Sequence, residues 1–565
     1  TLIGATEIQA AGGSFEGGLV GAGNDLTLNI ANTITIADGS GVNNLTSIGE
    51  TVLTGTINTT GSQTYQSDVT IEGDVTINAG GEVLFEGNVT GTPELAYSGW
   101  AVSAGGTANE YGQSIATFSD GSSVATGNFM RTAEFGNETV TSAGQKDIFI
   151  TKLNSDGEFQ WVTREGKVTH DGGLAMSVIP DNSGNSIITG YINTPQIGST
   201  PPTEGSGEED IFIAKLDAQG NFLWKTTAGG VVYDRGHSLK ALPDGSSIIT
   251  GVFFGTATFG SLPSLTSVGL EDIFIAKVDA DGEFIWARQA GGDSDERRHD
   301  VGWSVDVLDD GSSIITGQYR KVAHFGDITL TPVGGNEIFV TKLNENGDFV
   351  WATSAGGRFS DISKSVAVFD DGSSVITGHF RQTATFGTIE LTSTKDADDV
   401  FVARLNPQGA FVWAKQAGGG SNNDRSMSVV ALPDGSAVVA GNFEETANFG
   451  DNLSLTSIGR RDLFAFKVDS QGNFVWATQA GGTETTSPNS IATLPDNTFI
   501  LTGQFQGNTS FGTTTLVSAS GQDIFYAKLD ANGSFDGASV LEDPDLIINT
   551  QADTTFGGTV SNLAT

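Results

Sequence analysis

From Trp100 onward the chain writes one sentence of sequence seven times. One copy reads DIFIAKLDAQGNFLWKTTAGG at 210–230, LPDGSSIITG at 242–251 and TATFG at 256–260. The tryptophans that mark the copies are Trp100, Trp161, Trp224, Trp286, Trp351, Trp413 and Trp476, spaced 61 to 65 residues apart. Each copy carries four short apolar runs with period-2 patterning between turn residues, so each reads as one four-stranded antiparallel unit. In the copy that opens at Trp224, Phe222 and Trp224 lie two apart and share a face of the first strand. Asp244-Gly245 is a hairpin signal ahead of a second strand at 246–251. TATFG at 256–260 is expected as the third strand, and 272–279 as the fourth.

A lone sheet of this size leaves one face bare, and stacking such units radially closes them into a ring with few edges. Seven copies therefore predict an all-β chain built on a seven-bladed β-propeller, with blades starting near 100, 161, 224, 286, 351, 413 and 476. The Phe-x-Trp pairs are expected to pack between blades, with carbohydrate stacking by the tryptophans as the alternative. Ring closure is expected where Tyr97 and Trp100 meet the last copy near Phe535 and Gly537.

The frame D-[IVL]-F-[IVA]-x-[KR]-[LV]-[DN]-x-x-G-x-F-x-W-A-x-x-A-G-G resembles the bacterial β-propeller repeat of the SBBP type over roughly residues 94 to 537. That resemblance implies a secreted or surface setting and brings no catalytic residues with it. The second copy departs from the frame, with YINTPQIGSTPPTEGSGEED at 191–210 in place of TATFG, and Arg164-Glu165-Gly166 where others have Ala-Gly-Gly.

Residues 1–93 are of another kind, rich in Gly, Thr, Asn, Ile and Val and with almost no Lys or Arg. The stretch LTGTINTTGSQTYQSDVTIEGDVTINAGGEVLFEGNVTG at 53–91 resembles filamentous-haemagglutinin adhesin repeats, which implies a β-solenoid of the parallel β-helix kind. The tail repeats this text without gaps: Asp74, Ile77, Asn78, Phe85, Gly87 and Val89 align with Asp545, Ile548, Asn549, Phe556, Gly558 and Val560. The expected organisation is a solenoid segment over 1–93, the propeller over 94–540, and a second solenoid segment over 541–565.

Joining the last residues to the first continues the pattern, since VNNLTSIGETVLTG at 42–55 matches VSNLAT at 560–565 followed by TLIGATEIQA at 1–10. The chain thus reads as one period of something longer. Either it is a repeat cut from a giant polypeptide, or separate copies assemble head to tail into an open fibre. Thr1, Leu2, Ile3, Phe556, Val560 and Leu563 are the expected assembly positions, because an uncapped solenoid end offers unpaired backbone groups. The propeller would then be a lateral knob.

The charge balance narrows the partners. With 67 acidic and 27 basic residues the net charge is −40, which repels nucleic acid and anionic membrane surfaces. No apolar run approaches the roughly 20 residues that span a bilayer, and no signal peptide opens the chain, which starts at Thr1. The absence of cysteine excludes disulfides and thiolate metal sites. His170, His237, His299, His324 and His379 stand singly, against a histidine zinc site. Calcium has weak candidates in the inter-strand turns, where Asn154 with Asp156 and Asp279 with Asp281 place oxygens two apart before a glycine; plain turn chemistry explains the same spacing. A second acidic and basic cluster, GGDSDERRHD at 291–300, reads as a recognition loop or as a self-neutralising surface loop.

No nucleophile elbow, phosphate loop or distinct Ser/His/Asp set is present, so no enzyme is expected. The function expected is a structural subunit of a bacterial extracellular filament or cell-surface fibre, a homopolymer partnered by itself. The alternative is an adhesin module whose propeller binds a surface glycan or another surface partner. Calcium or magnesium is expected to stiffen such an acidic assembly.

Overall fold

The chain is described by a computed structural model over all residues except 1–5, 11–12, 16–18, 31–33, 49, 80–81, 93, 96–99, 167–169, 194–208, 293–299, 451–452, 520, 536–540, 543–545, 551–553, 557–559 and 562–565. Every element among the described residues is a β-strand. Two compact units divide the chain: Gly99–Asp536 is one, and Thr1–Ser98 with Gly537–Thr565 is the other.

The larger unit is a seven-bladed β-propeller. Six blades are continuous in sequence, at 111–165, 172–228, 235–292, 301–357, 362–417 and 425–482. The seventh takes three strands from 486–529, and its outer strand is Ala101–Gly106, which pairs antiparallel with Asp523–Leu529. The start of the propeller thus closes the ring onto its end, as the sequence predicts. The predicted phase within a copy needs correction. In the third blade the inner strand is Arg235–Ala241, followed by Ser247–Ala257, Leu265–Val278 and the outer strand Phe284–Gly292. The tryptophans therefore stand in the last strand of a blade, so the boundary falls after them and not at 161, 224 or 286.

The sequence reading also missed the inner strand, because RGHSLKA breaks period-2 alternation at a bulge between Gly236 and Ser238. TATFG is no third strand of its own blade. It turns back on the outer strand of the blade before, as where Gly229 bridges Thr258, or where Gly105 and Gly106 pair with Glu134 and Ala133. The Asp-Ile-Phe strands are the buried third strands, with Phe149, Phe212, Phe274, Phe339, Phe401, Phe464 and Phe525 at 0–1% exposure.

Neighbouring blades are joined by two sevenfold sets of contacts. At the periphery each indole Nε1 donates to a carbonyl in the turn of the following blade: Trp161 to Ala218, Trp224 to Ala280, Trp286 to Glu345, Trp351 to Pro407, Trp413 to Ser470, Trp476 to Ala531 and Trp100 to Ser155, at 2.8–3.2 Å. The glycine that ends each turn lies flat under the same indole. Gly282, for example, has φ +89°, and a Cβ there would come within 2.7 Å of the Trp224 ring. Only glycine satisfies both the left-handed backbone and the close approach.

Near the axis an inner-strand serine hydroxyl accepts an amide of the next inner strand. The series runs Ser114 from Met176, Ser177 from Ala241, Ser238 from Val305, Ser304 from Val366, Ser365 from Val429, Ser428 from Ile491 and Ser490 from Ile115. Both sets run the whole way round, so no blade has a free flank.

In the smaller unit the long strands pair in parallel, each stretch lying on one about a rung away. Leu26 pairs with Leu45, Thr51 with Val69, and Val69 with Val89. Tyr65 and Phe85 stack in register with ring centroids 5.0 Å apart, inside a core of Leu28, Leu53, Ile57, Ile77 and Val83. Asn78 donates to Asn58 across the same step at 2.7 Å.

The tail adds the next layer, with Ile548 against Ile77, Asn549 against Asn78, Phe556 against Phe85 and Val560 against Val89. These four of the aligned pairs are register partners of the sheet, while Asp545 and Gly558 lie outside the described residues. A short antiparallel pair, Glu94–Leu95 with Leu541–Glu542, stands where the chain leaves this unit and returns to it.

Replacing Trp224 by alanine is expected to lower stability by about 3–5 kcal/mol, the range for truncating a packed aromatic. Gly282→Ala is expected to cost at least about 1 kcal/mol through backbone strain and the blocked indole. Denaturant titration reads both, and changes under about 0.5 kcal/mol in both variants would remove the indole and glycine contact from the forces that hold the ring.

Candidate interaction surfaces

Each blade junction holds carboxyl groups that position the loops on one face of the propeller. One stands in the third strand just before its apolar run: Asp147, Asp210, Asp272, Glu337, Asp399, Asp462 and Asp523. The other precedes the inner strand: Glu110, Asp171, Asp234, Asp300, Asp361 and Asp424, with Thr486 at this place in the seventh blade. Asp234 shows what the second set does, accepting the Gly230 amide of the preceding blade at 2.6 Å and the Phe254 amide of its own at 2.9 Å. Asp300, Asp361 and Asp424 repeat this double tie.

Six of the third-strand acids accept an amide from the loop or strand segment before them: Ala143 to Asp147, Val268 to Asp272, Val333 to Glu337, Thr394 to Asp399, Ile458 to Asp462 and Ala519 to Asp523. Those loops present Val268, Val333 and Ile458 outward, 51–79% exposed. On the outer strands Leu223, Ile285, Val350, Val412 and Val475, each between the Phe and Trp of its frame, are likewise exposed. The propeller thus displays single aliphatic side chains at repeating positions on rigid mounts.

The two carboxyls of a junction converge on the first glycine of Ala-Gly-Gly. A Cβ on Gly229 would lie 2.6 Å from Asp210 Oδ1 and 2.8 Å from Asp234 Oδ2, and Gly291 and Gly418 have the same surroundings. At the junction of the first and second blades Gly166 takes this place, and Arg164 reaches Asp147 at 2.5 Å, so the departure of that copy from the frame leaves the junction intact. One oxygen each of Glu110, Asp147, Asp272, Asp399, Asp462 and Asp523 is buried without a hydrogen-bond partner. Burial, reinforced by the facing carboxyl, pushes Glu110, Asp234, Asp272 and Asp424 up to about 7. Burial likewise lifts Asp361 to about 7, and Asp210 and Asp399 to about 6.

In the turns singled out for calcium, Asn154 Oδ1 accepts the amides of Asp156 and Glu158, and Asp279 Oδ1 those of Asp281 and Glu283. These oxygens shape the turn that ends in the glycine beneath the indole. Among the described residues no group of three or more His, Cys, Asp or Glu is placed to hold a metal ion.

The histidines that are described do not meet: His170 and His324 are at the surface, His237 stacks on Trp303, and His379 is buried. Within GGDSDERRHD, Asp300 is a buried junction carboxyl and residues 293–299 lie outside the described residues, as do His299 and the insertion at 194–208. Of the assembly positions, Phe556 and Val560 stand in the added parallel layer, while Thr1, Leu2, Ile3 and Leu563 lie outside the described residues. Several strands of that unit's sheet have a single partner strand among the described residues. Thr6–Ala10 pairs only with the stretch at 26–30, and Leu546–Thr550 only with that at 75–79.

No protein-family model matches the chain. It is 23% identical over 453 residues to an uncharacterized WD repeat-containing protein of Acanthamoeba polyphaga mimivirus, covering 66% of this chain and 32% of that protein. It is also 23% identical over 366 residues to the regulatory protein FlaEY of Caulobacter vibrioides, covering 60% of this chain and 37% of that one. The chain spans about a third of the length of these relatives. Among solved structures it is similar to Sqt1 from Chaetomium thermophilum, with TM-score 0.35, 9% identity and coverage of 74% and 85%. It is similar also to a puromycin hydrolase variant, with TM-score 0.39, 12% identity and coverage of 75% and 52%.

The junction carboxyls set a pH dependence. Their folded pKa values lie above the unfolded ones, so the stabilisation is full below about pH 4 and is lost as pH rises through 6 to 7. The melting temperature is expected to fall between pH 5 and pH 8, and Asp424→Asn to flatten that fall. A melting temperature that rises over this range would contradict the assignment.

Proposed function

We propose that the chain is a non-catalytic assembly and interaction module, a structural repeat or subunit of an extracellular bacterial filament or surface fibre. In this reading its parallel unit is a β-solenoid of the filamentous-haemagglutinin kind that stacks on further copies of itself, and its propeller engages a protein partner. The observation that carries it is the in-register seating of 546–550, 554–556 and 560–561 on 75–79, 83–85 and 89–90. A layer that repeats its neighbour's residue at Ile548, Asn549, Phe556 and Val560 can accept another such layer in the same register. The edges at 6–10 and 546–550 supply the unpaired backbone groups for it. Such a contact is heterologous and open, so it propagates.

For the propeller, resemblance to a WD repeat-containing relative and the repeated exposed aliphatics favour a protein partner; a surface glycan remains the alternative ligand of the adhesin reading. Calcium at Asn154, Asp156, Asp279 and Asp281 belongs to the same proposal, since the exposed Asp156 and Asp281 carboxylates lie outside the turn bonds. Melting curves that coincide in chelator and in millimolar calcium would remove it.

Electron microscopy and a denaturing gel on the same natural material test the assembly. Filaments that yield a band near 58.6 kDa would mean assembled subunits, and filaments with a far larger band a tandem polypeptide. Lysines at Ile547 and Thr550 should abolish assembly of separate copies by setting charges on the pairing edge, with the propeller's melting unchanged. Isolated particles in the natural material, or filaments unaffected by the lysines in a chain of single-copy mass, would overturn the stacking.

A further inference from the structure

At the middle of each inner strand the register slips, as between Gly302 and Ser304 or between Ser363 and Ser365. The bulged residues are Gln113, Leu174, His237, Trp303, Lys364, Met427 and Asn489. No two of these are the same residue, and three touch one another across blades. His237 stacks on Trp303, with centroids 4.6 Å apart and planes 19° apart. Lys364 Nζ lies over the same indole, 3.3 Å from its centroid.

Around Lys364 the cations outnumber the anions that could neutralise them. Its Nζ makes no ion pair or hydrogen bond among the described residues. Arg381 and Arg425 approach the same carboxylate, Asp398, at 3.2 and 2.7 Å. Arg381 Nε faces Asp398 Oδ1 in that ion pair without hydrogen-bond geometry, and the buried His379, 6% exposed, has an Nδ1 without a partner. The next carboxyls are Asp361 and Asp424, which are spent on backbone amides. Lys364 answers this imbalance by giving up its proton readily: burial and the Arg425 charge push it down to about 7. The His379 imidazole is held neutral by burial and by Arg425, Lys364 and Arg381 around it.

We propose that Lys364, His379, Arg381 and Arg425 form a binding site for a small oxyanion, a carboxylate or phosphate group, where the fifth and sixth blades meet Trp303. An oxyanion supplies the acceptor that Lys364 Nζ lacks, and charge-assisted bonds of this kind are the strong ones. It also restores the full charge of Lys364, so binding takes up a proton near neutral pH. The rest of a chain with net charge −40 repels anions, which confines binding to this place.

The whole chain is titrated calorimetrically with sodium phosphate and, separately, sodium acetate, at constant ionic strength and pH 7. One of the two probes should bind at a single site per chain, which also distinguishes phosphate from carboxylate as the group recognised. Lys364→Met should weaken that binding at least about tenfold, the worth of one charge-assisted bond. A measurement on the unaltered chain guards against a misfolded variant: Lys364 should be acylated by acetic anhydride at pH 7 faster than exposed lysines, and the bound probe should slow this at least about tenfold. If neither probe binds, or if bound probe leaves the Lys364 acylation rate unchanged, there is no such site.

Discussion

The contact between each tryptophan and the turn of the next blade is what makes seven copies into one object. It combines three demands that a single residue pair rarely meets: an aromatic face, an indole donor and a turn glycine with positive φ. The indole Nε1 spends its proton on the turn carbonyl, so a polar group at the rim is satisfied while the ring covers the glycine. Because Trp100 reaches Ser155 and Trp476 reaches Ala531, the set has no first or last member. The outer strand that the start of the propeller lends to the seventh blade serves the same end. It carries Trp100 to the place where a seventh indole is needed.

Against this apolar and hydrogen-bonded frame, the junction carboxyls are costly. A buried acid without a counter-charge disfavours its ionised form, and the chain holds such an acid pair at nearly every junction. What they give in return is loop geometry. Each ties backbone amides that have no strand partner, and each frees its glycine from any side chain. The seventh blade, with Thr486 where other blades carry an acid, forms the same junction through a hydroxyl pair with Thr509. A rigid rim with exposed aliphatics follows from that arrangement, and so does a stability that depends on protons in the neutral range.

The blade count, the closure of the ring and the stacking of the tail on the 74–89 text are all legible in the sequence, because each is a matter of repeat spacing. The phase of the blade is not. The Phe-x-Trp strand looks like a beginning since it follows a turn, whereas its indole faces forward to the next blade's turn. The inner strand escapes notice because its bulge, at Gly236 or Ser363, breaks the alternation by which strands are recognised. The turn oxygens of Asn154 and Asp279 suggest calcium by spacing alone, yet the backbone amides that claim them are visible only in three dimensions. The junction acids had a signal in the sequence, an Asp or Glu before Ile-Phe or Leu-Phe in most copies, but its meaning depends on a glycine some twenty residues away. The cluster at Lys364 had none, since Arg425 joins it from the next copy and the other copies carry different residues at the Lys364 position.

The parallel unit holds the central functional claim, and amide hydrogen exchange on native material tests it most directly. If copies stack through this sheet, amides of the edge strands Thr6–Ala10 and Leu546–Thr550 exchange as slowly as those of the inner strand Thr51–Thr59. Edge amides that exchange freely while the inner strand stays protected would show sheets that end in solvent, and would contradict the assembly.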